Sequence, residues 1–455
     1  MNIQERIAEV VSRSRRAQAI FENYSQAEVD RIVRDIAKSV YARAEELARM
    51  AVEETRMGVY EDKVRKNQGK ARILWHSLKG RKTIGIIHED KEKAVIEVAR
   101  PMGVVGAVTP CTNPIVTPMC NAMFALKCRN SIIFAPHPRA VGCTATLTRT
   151  FRAILAAHGA PEDLVQDLPD ADVEATGELM RQVDIIIATG GMGMVRAAYS
   201  SGKPAYGVGA GNVQCIVDRG VDIPETVTKI IAGRTFDNGI ICSGEQSVIL
   251  PDEEAGAILA EFARQGAVII EETAQVARLR DAIFKDGIMN KHLVGQPVEK
   301  VAETAGIAIP PGSRVLLVKA EGIGREDLLS KEKMCAVISV YTYQDFEEAL
   351  DIAEANLDVE GKGHSVSIHS NDRKKILKAA ERLKVCRILV NQICSTMNGG
   401  SFLNGFAPTT KLGCGTWGNN ILSENLDCRH LLNITRIGSP IPNARIPSDE
   451  EIWGE

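Results

Sequence analysis

No run of about 18 apolar residues occurs in the chain, so no helix that spans a membrane is expected. A strong charge of either sign is also missing. With 55 Lys and Arg against 58 Asp and Glu, the net charge is −3, which gives no electrostatic case for nucleic acid or an anionic membrane. A paired-cysteine framework is absent: the eleven cysteines are odd in number and scattered, which suits a reducing, cytoplasmic compartment. No Cys/His grouping has zinc spacing and the eight histidines are isolated, so no metal is expected. Internal repeats and low-complexity tracts are lacking too. What remains is an ordinary globular composition, 45% hydrophobic and 25% charged, over 455 residues, too many for one core.

Near the N-terminus Ile3, Ile7, Val10, Val11 and Ala17 follow helical spacing, with Glu5, Arg6, Arg13, Arg15 and Arg16 between them. No Gly/Pro/Ser linker follows, so this reads as a helix of the first domain and not a signal or encapsulation tag. Residues 1 to about 80 read as helices, ending in a charged stretch from Tyr60 to Arg72. From Gly103 short β-rich runs alternate with helical ones: Gly103–Thr109, Ser131–Ala135, Asp184–Ala188 and Gln214–Asp218. A second set comprises Ser247–Leu250, Arg314–Lys319, Ala336–Tyr343, His364–His369 and Arg387–Asn391. The alternation predicts two α/β domains with parallel sheets. The tail from Ser439 to Glu455 is Pro-rich and irregular.

Six stretches carry chemistry. Asn238-Gly-Ile-Ile-Cys242-Ser-Gly-Glu-Gln246 places a cysteine among small residues between a helix-like and a strand-like run. A thiolate nucleophile that must stabilise an oxyanion needs access and backbone N–H groups beside it. Cys111-Thr-Asn113-Pro follows a predicted strand, at the carboxyl end where α/β sheets place ligands. An amide there donates to a developing alkoxide, or Thr112 or Asn113 caps a helix; the residues alone leave both open. Thr189-Gly190-Gly191-Met-Gly193 follows a strand and opens a helix, so its backbone can approach a pyrophosphate, although its glycines are not in GxGxxG register. Ala135-Pro-His137-Pro138-Arg139 offers groups for a phosphate or ribose, or a rigid turn with solvated side chains. Gly207-Val-Gly209-Ala-Gly211 contains no carboxylate, and Lys331-Glu332-Lys333 is a charged turn before a strand.

Together these motifs resemble the aldehyde dehydrogenase superfamily, in particular its CoA-acylating branch, over nearly the whole chain. Phe236 to Gln246 resembles the nucleophile motif of acylating acetaldehyde, propionaldehyde and succinate-semialdehyde dehydrogenases. Val52 to Val64, Thr112 to Met123 and the ending Pro447 to Trp453 are most similar to the acylating succinate-semialdehyde enzymes. The resemblance implies a Rossmann-type cofactor domain over residues 1–228, with oligomerisation strands near 94–102. It further implies an α/β catalytic domain over 229–410 that carries Cys242, and a return segment and oligomerisation tail over 411–455. Cys242 would be the nucleophile, and Asn113 with the Cys242 N–H the oxyanion donors. Thr109, Pro110, His137, Pro138, Arg139, Thr189, Gly190, Gly191, Gly193, Gly207 and Gly209 would surround NADP or NAD. Glu332 would hold the nicotinamide ribose, with Met334 where an aromatic is usual.

The hydrolytic members carry a water-activating Glu where this chain has Tyr206-Gly-Val-Gly-Ala-Gly. The implied partner of the acyl-Cys242 thioester is therefore coenzyme A. The aligned turn His137–Ala140 lacks the carboxylate of NAD-specific members, so NADPH is expected to be accepted. For an anionic aldehyde tail the candidates are Lys411 first and Arg129 next, with Ile241 and Ser243 beside the nucleophile. Succinate semialdehyde is the first-choice substrate. Sulfoacetaldehyde, acetaldehyde and propionaldehyde are alternatives, as are a hydrolytic dehydrogenase and an inactive scaffold. A homodimer or dimer of dimers is expected, through Ala94–Ala99 and Leu431–Ile446.

Overall fold

The computed structural model describes residues 2–454. Four helices open the chain: α1 (Ile3–Phe21), α2 (Gln26–Ala42), α3 (Ala44–Thr55) and α4 (Tyr60–Leu78). Asn2 and Ser25 start the first two with capping boxes, in which each side chain accepts an N–H three residues on and Glu5 or Glu28 reaches back. Ile7, Val11, Ala17 and Phe21 of α1 are buried in the cores, as a domain helix requires.

Two strands follow, β1 (Gly85–Asp90) and β2 (Val95–Pro101), and then a five-stranded sheet. Its spatial order is β5 (Val165–Asp167), β4 (Ser131–Pro136), β3 (Val104–Thr109), β6 (Ile185–Thr189) and β7 (Ala205–Val208), all parallel. The chain winds outward from β3 through β4 to β5, then restarts at β6 on the other side. The β3/β6 boundary is thus a topological switch point, and its carboxyl edge is where such sheets bind ligands.

The second sheet has seven parallel strands: β10 (Ala267–Ile270), β13 (Val315–Lys319), β14 (Val337–Tyr343), β9 (Glu245–Pro251), β8 (Val213–Val217), β15 (Val366–His369) and β16 (Ile388–Val390). A hairpin of β11 (Phe284–Lys285) and β12 (Ile288–Met289) lies apart from it. Finally β17 (Leu432–Gly438) pairs antiparallel with β2, Pro101 opposite Leu432, to complete a three-stranded sheet with β1.

One strand corrects the sequence reading. Residues 214–218 were expected in the first alternating set, but Val213–Val217 pairs with β9 and β15 in the second sheet. The chain changes sheets in the loop Gly209–Asn212, not near residue 228. Alternation of strands and helices carries no mark of which sheet a strand joins, because the crossover helix α9 (Ile223–Thr235), from β8 to β9, looks like any other.

Candidate active site

The carboxyl edge of the five-stranded sheet and the amino edge of the seven-stranded sheet supply the candidate residues. Thr109 ends β3 and Thr189 ends β6, two adjacent strands across the switch point. Both hydroxyls are buried without a hydrogen-bond partner among the described residues. Gly190 and Gly191 follow, and α8 (Met192–Tyr199) begins there; a side chain at Gly191 or Gly193 would meet open space. Orphaned hydroxyls beside an open glycine turn at a helix N-terminus fit a dinucleotide's phosphates. Pro110 continues from Thr109. Pro138 and Arg139 form a 3₁₀ turn after β4, with the His137 Nδ1 accepting the Arg139 N–H at 3.1 Å and the Arg139 guanidinium donating to the Thr55 carbonyl. The turn is not free of carboxylates as the sequence suggested. Glu54, from α3, accepts the N–H groups of Gly142 (2.6 Å) and Cys143 (2.7 Å) at the start of α6 (Val141–Ala157). Sequence alignment of the turn could not find it, because it arrives from another helix.

Cys242 lies on the turn before β9, with the Gly244 N–H closing back on the Ile241 carbonyl at 2.8 Å. The Gly209–Asn212 loop rests directly on it: a Cβ on Gly211 would stand 1.8 Å from the Cys242 carbonyl oxygen. Only glycine permits that approach. Gly209 faces the Cys414 thiol, and a Cβ on Gly207 would strike Val195 at 2.6 Å, so its smallness also serves packing. Glu332, before β14, reaches the Gly211 N–H; burial and the neighbouring Glu360 push its carboxyl up to about 8. Burial, then Glu332 and Cys414, push the Cys242 thiol up to about 12, against Arg387 and Lys411. Desolvation is the largest of these effects.

A cavity of about 450 Å³ opens over Cys242, Ile241 and Ser243, with Asn113 on its wall. The Ser243 hydroxyl donates to the Ser395 carbonyl at 3.0 Å. Asn113 caps no helix: α5 (Val116–Lys127) has Ile115 at its N-cap and no side-chain cap. Instead its Oδ1 accepts from the Lys66 Nζ at 2.8 Å. The Asn113 Nδ2 and the Cys242 backbone N–H donate to no acceptor among the described residues. Both are therefore free to meet an oxyanion.

Lys411 is fully buried, at 0% exposure, not the solvated lysine that its residue type favours. Its neighbours Thr410 and Leu412 line the cavity but Lys411 itself does not; it lies behind that wall, and its Nζ has no partner among the described residues. Burial lowers its pKa to about 8, while the Cys120 and Cys242 thiols oppose that. Arg129 is corrected. It follows α5 in a left-handed conformation and donates to the Glu22 carbonyl, in a separate hollow lined by α1 and β2. It borders none of the cavity over Cys242.

Sequence reasoning missed the cavity's cationic wall. Arg65, Lys66, Lys70 and Arg72 of α4 line it. The Lys70 Nζ ties down the Gly399 (2.9 Å) and Thr409 (3.2 Å) carbonyls. The signal was present: Lys66, Gly69, Lys70 and Ile73 recur at three- and four-residue spacing, one helix face, within a stretch read only as charged.

The aldehyde dehydrogenase family profile matches residues 2–273, and the chain belongs to that family. It is 50% identical over 448 residues to a succinate-semialdehyde dehydrogenase (acetylating) of Clostridium kluyveri, covering 98% of this chain and 99% of that protein. A sulfoacetaldehyde dehydrogenase (acylating) of Cupriavidus necator is 40% identical over 99% of this chain and 92% of its own. The crystal structure of an acetylating aldehyde dehydrogenase from Geobacillus thermoglucosidasius superposes with a TM-score of 0.93, at 38% identity over 98% of each chain.

Proposed function

We propose that the protein is a CoA-acylating aldehyde dehydrogenase. It interconverts a short aldehyde with an anionic far end, succinate semialdehyde first, with its acyl-CoA, using NAD or NADP. The observation that carries this is the surroundings of Cys242: two free N–H donors, and a Gly207–Gly211 loop that brings it no water-activating acid. Cys242 Sγ adds to the aldehyde carbon, and Asn113 and the Cys242 N–H hold the oxygen as it gains charge. A bound nicotinamide supplies the hydride acceptor, and Thr109, Thr189 and the Gly190–Gly191 turn would hold its dinucleotide. Cys242 is left as a thioester. The CoA thiol attacks that carbonyl, the same donors receive the second oxyanion, and Cys242 departs. The test is NAD(P)⁺ reduction by succinate semialdehyde with and without CoA. CoA-dependent turnover supports the reading; CoA-independent turnover would mean a hydrolytic enzyme, and none an inactive scaffold.

Sulfoacetaldehyde is the second reading, favoured by the Cupriavidus relative; a sulfonate and a carboxylate present the same anionic tail. For either, Lys411 is the proposed tail reader, because a charged hydrogen bond, worth about 1.5–3 kcal/mol, would relieve its unpaired ammonium. Lys411→Thr raises KM for succinate semialdehyde roughly ten- to a hundredfold and barely alters KM for butyraldehyde. The sign with pH follows from its lowered pKa: Lys411 is charged below about 8, so KM for the anionic aldehyde climbs as pH rises through that value. Equal effects on both aldehydes would assign the tail to Arg65 or Arg72 instead.

Both cofactors are accepted in this reading, since Arg139 and His137 favour a 2′-phosphate while Glu54 favours a 2′-hydroxyl. Wild-type kcat/KM values for NADH and NADPH are expected within a hundredfold, and Glu54→Gln moves the ratio toward NADPH. An unchanged ratio would remove Glu54 from cofactor choice.

The exposed Ile437 of β17, with the exposed Ile441, Ile446 and Trp453 of the segment that follows it, supports a homodimer or dimer of dimers. Sedimentation velocity at micromolar concentration checks it, and a lone monomer boundary would refute it.

A further inference from the structure

We infer that Lys66 is a positioning residue that sets and polarises the Asn113 amide; this rests on the reading of Asn113 as oxyanion donor. Lys66 stands on the second turn of α4, and its side chain is 9% exposed. Its Nζ donates to the Asn113 Oδ1 at 2.8 Å and to the Asp237 Oδ2 at 2.5 Å. Asp237 is fully buried, five residues before the nucleophile, in a left-handed conformation at φ 55°. Its Oδ2 also accepts from the Lys63 Nζ at 3.0 Å, its Oδ1 accepts the Val59 N–H at 2.8 Å, and its own N–H donates to Asp62 at 2.8 Å. Burial works against its charge, but Lys66 and Lys63 prevail and hold its pKa below the usual carboxylate value. The carboxylate is thereby a fixed anchor for both ammoniums.

Three consequences follow. An ammonium only donates, so the Asn113 atom facing Lys66 is the oxygen and the NH₂ group is left to point elsewhere. A cation on the amide oxygen draws electron density from the nitrogen and strengthens its N–H as a donor. And one ammonium ties Asn113, from the turn after β3, to the turn that leads into Cys242. An ion pair with Asp237 alone would account for the Lys66 burial, but not for the contact with Asn113.

The test is a double-mutant cycle of Lys66→Met and Asn113→Ala, read with succinate semialdehyde and with butyraldehyde. Asn113→Ala removes the donor, so Lys66→Met, which only misaligns it, is expected to lower kcat less, about ten- to a hundredfold, equally for both aldehydes. In the Asn113→Ala background the same change should lower kcat less than threefold, and Lys66→Arg should recover most of the loss. Alkylation of Cys242 by iodoacetamide builds no oxyanion, so its rate should stay within about twofold in Lys66→Met. Additive losses, no rescue by Lys66→Arg, a parallel loss of alkylation, or a KM effect confined to the anionic aldehyde would each overturn the inference. Should Lys66→Met not fold, the cycle with Lys66→Gln, which keeps a polar side chain but no ammonium, is read the same way. If Asn113→Ala alone is near wild type, it is the oxyanion reading of Asn113 that has failed.

Discussion

Cys242→Ala is expected to abolish CoA-dependent aldehyde oxidation, with a loss on the order of 10⁶ in kcat, as when a covalent nucleophile is removed from other enzymes. The fold should survive, because the thiol packs in no core cluster and its turn is held by backbone contacts. The wild-type thiol has a signature of its own. With its pKa pushed up to about 12, Cys242 holds far less thiolate at pH 7 than a free thiol of pKa about 8.5. The more basic thiolate is intrinsically more nucleophilic, which recovers roughly half of that deficit on a logarithmic scale. Iodoacetamide should therefore alkylate Cys242 about a hundredfold more slowly than a free cysteine, and saturating NADP⁺, with its positive ring, should accelerate it. Substantial CoA-dependent turnover in Cys242→Ala would remove the residue from the mechanism. A fast alkylation in the free enzyme would show that burial does not govern the thiol.

Asn113→Ala is expected to lower kcat by about 10²–10³ with a smaller change in KM, the usual cost of losing one oxyanion donor. Loss in kcat follows because the amide bonds an oxygen that is charged only while the carbon is tetrahedral. Acyl transfer from Cys242 to CoA passes through a second such oxyanion, so single-turnover thiolysis should slow along with aldehyde oxidation. A kcat near that of the wild type would reduce Asn113 to a partner of Lys66.

Much of this site was legible in the sequence because its parts are local. Cys242, Asn113 and the Gly190–Gly193 turn each lie in a motif whose backbone geometry follows from neighbouring residues, and strands such as Val104–Thr109 read as unbroken apolar runs because both faces are covered. What the sequence hid was long-range. Asp237 meets Lys66 across 171 positions, and Glu54 accepts the Gly142 N–H from 88 positions away. No periodicity encodes such pairings. The thiol's raised pKa is hidden for a related reason: besides burial it depends on the charges of Glu332 and Cys414, which come from distant loops. Arg129 was misplaced because charge type alone says nothing of which end of α5 faces the cavity. The strands β5 and β10, of 3 and 4 residues, were too short to register.

The loop around Lys411 and Cys414, which helps enclose Cys242, carries a consequence for how the protein is made. Synthesis runs from the N-terminus, so a nascent chain holds its nucleophile long before Arg387, Lys411 and Cys414 have left the ribosome. The β2 strand likewise waits for a partner more than 300 residues away, Pro101 for Leu432. Until those last segments dock, we expect Cys242 to be an ordinary solvent thiol, open to oxidants. Its quietness is conferred late, by closure of the pocket. Alkylation of ribosome-arrested chains of increasing length should show the reactive thiol vanish only once Lys411 and Cys414 have emerged from the ribosome; protection in shorter chains would place the enclosure in the earlier elements.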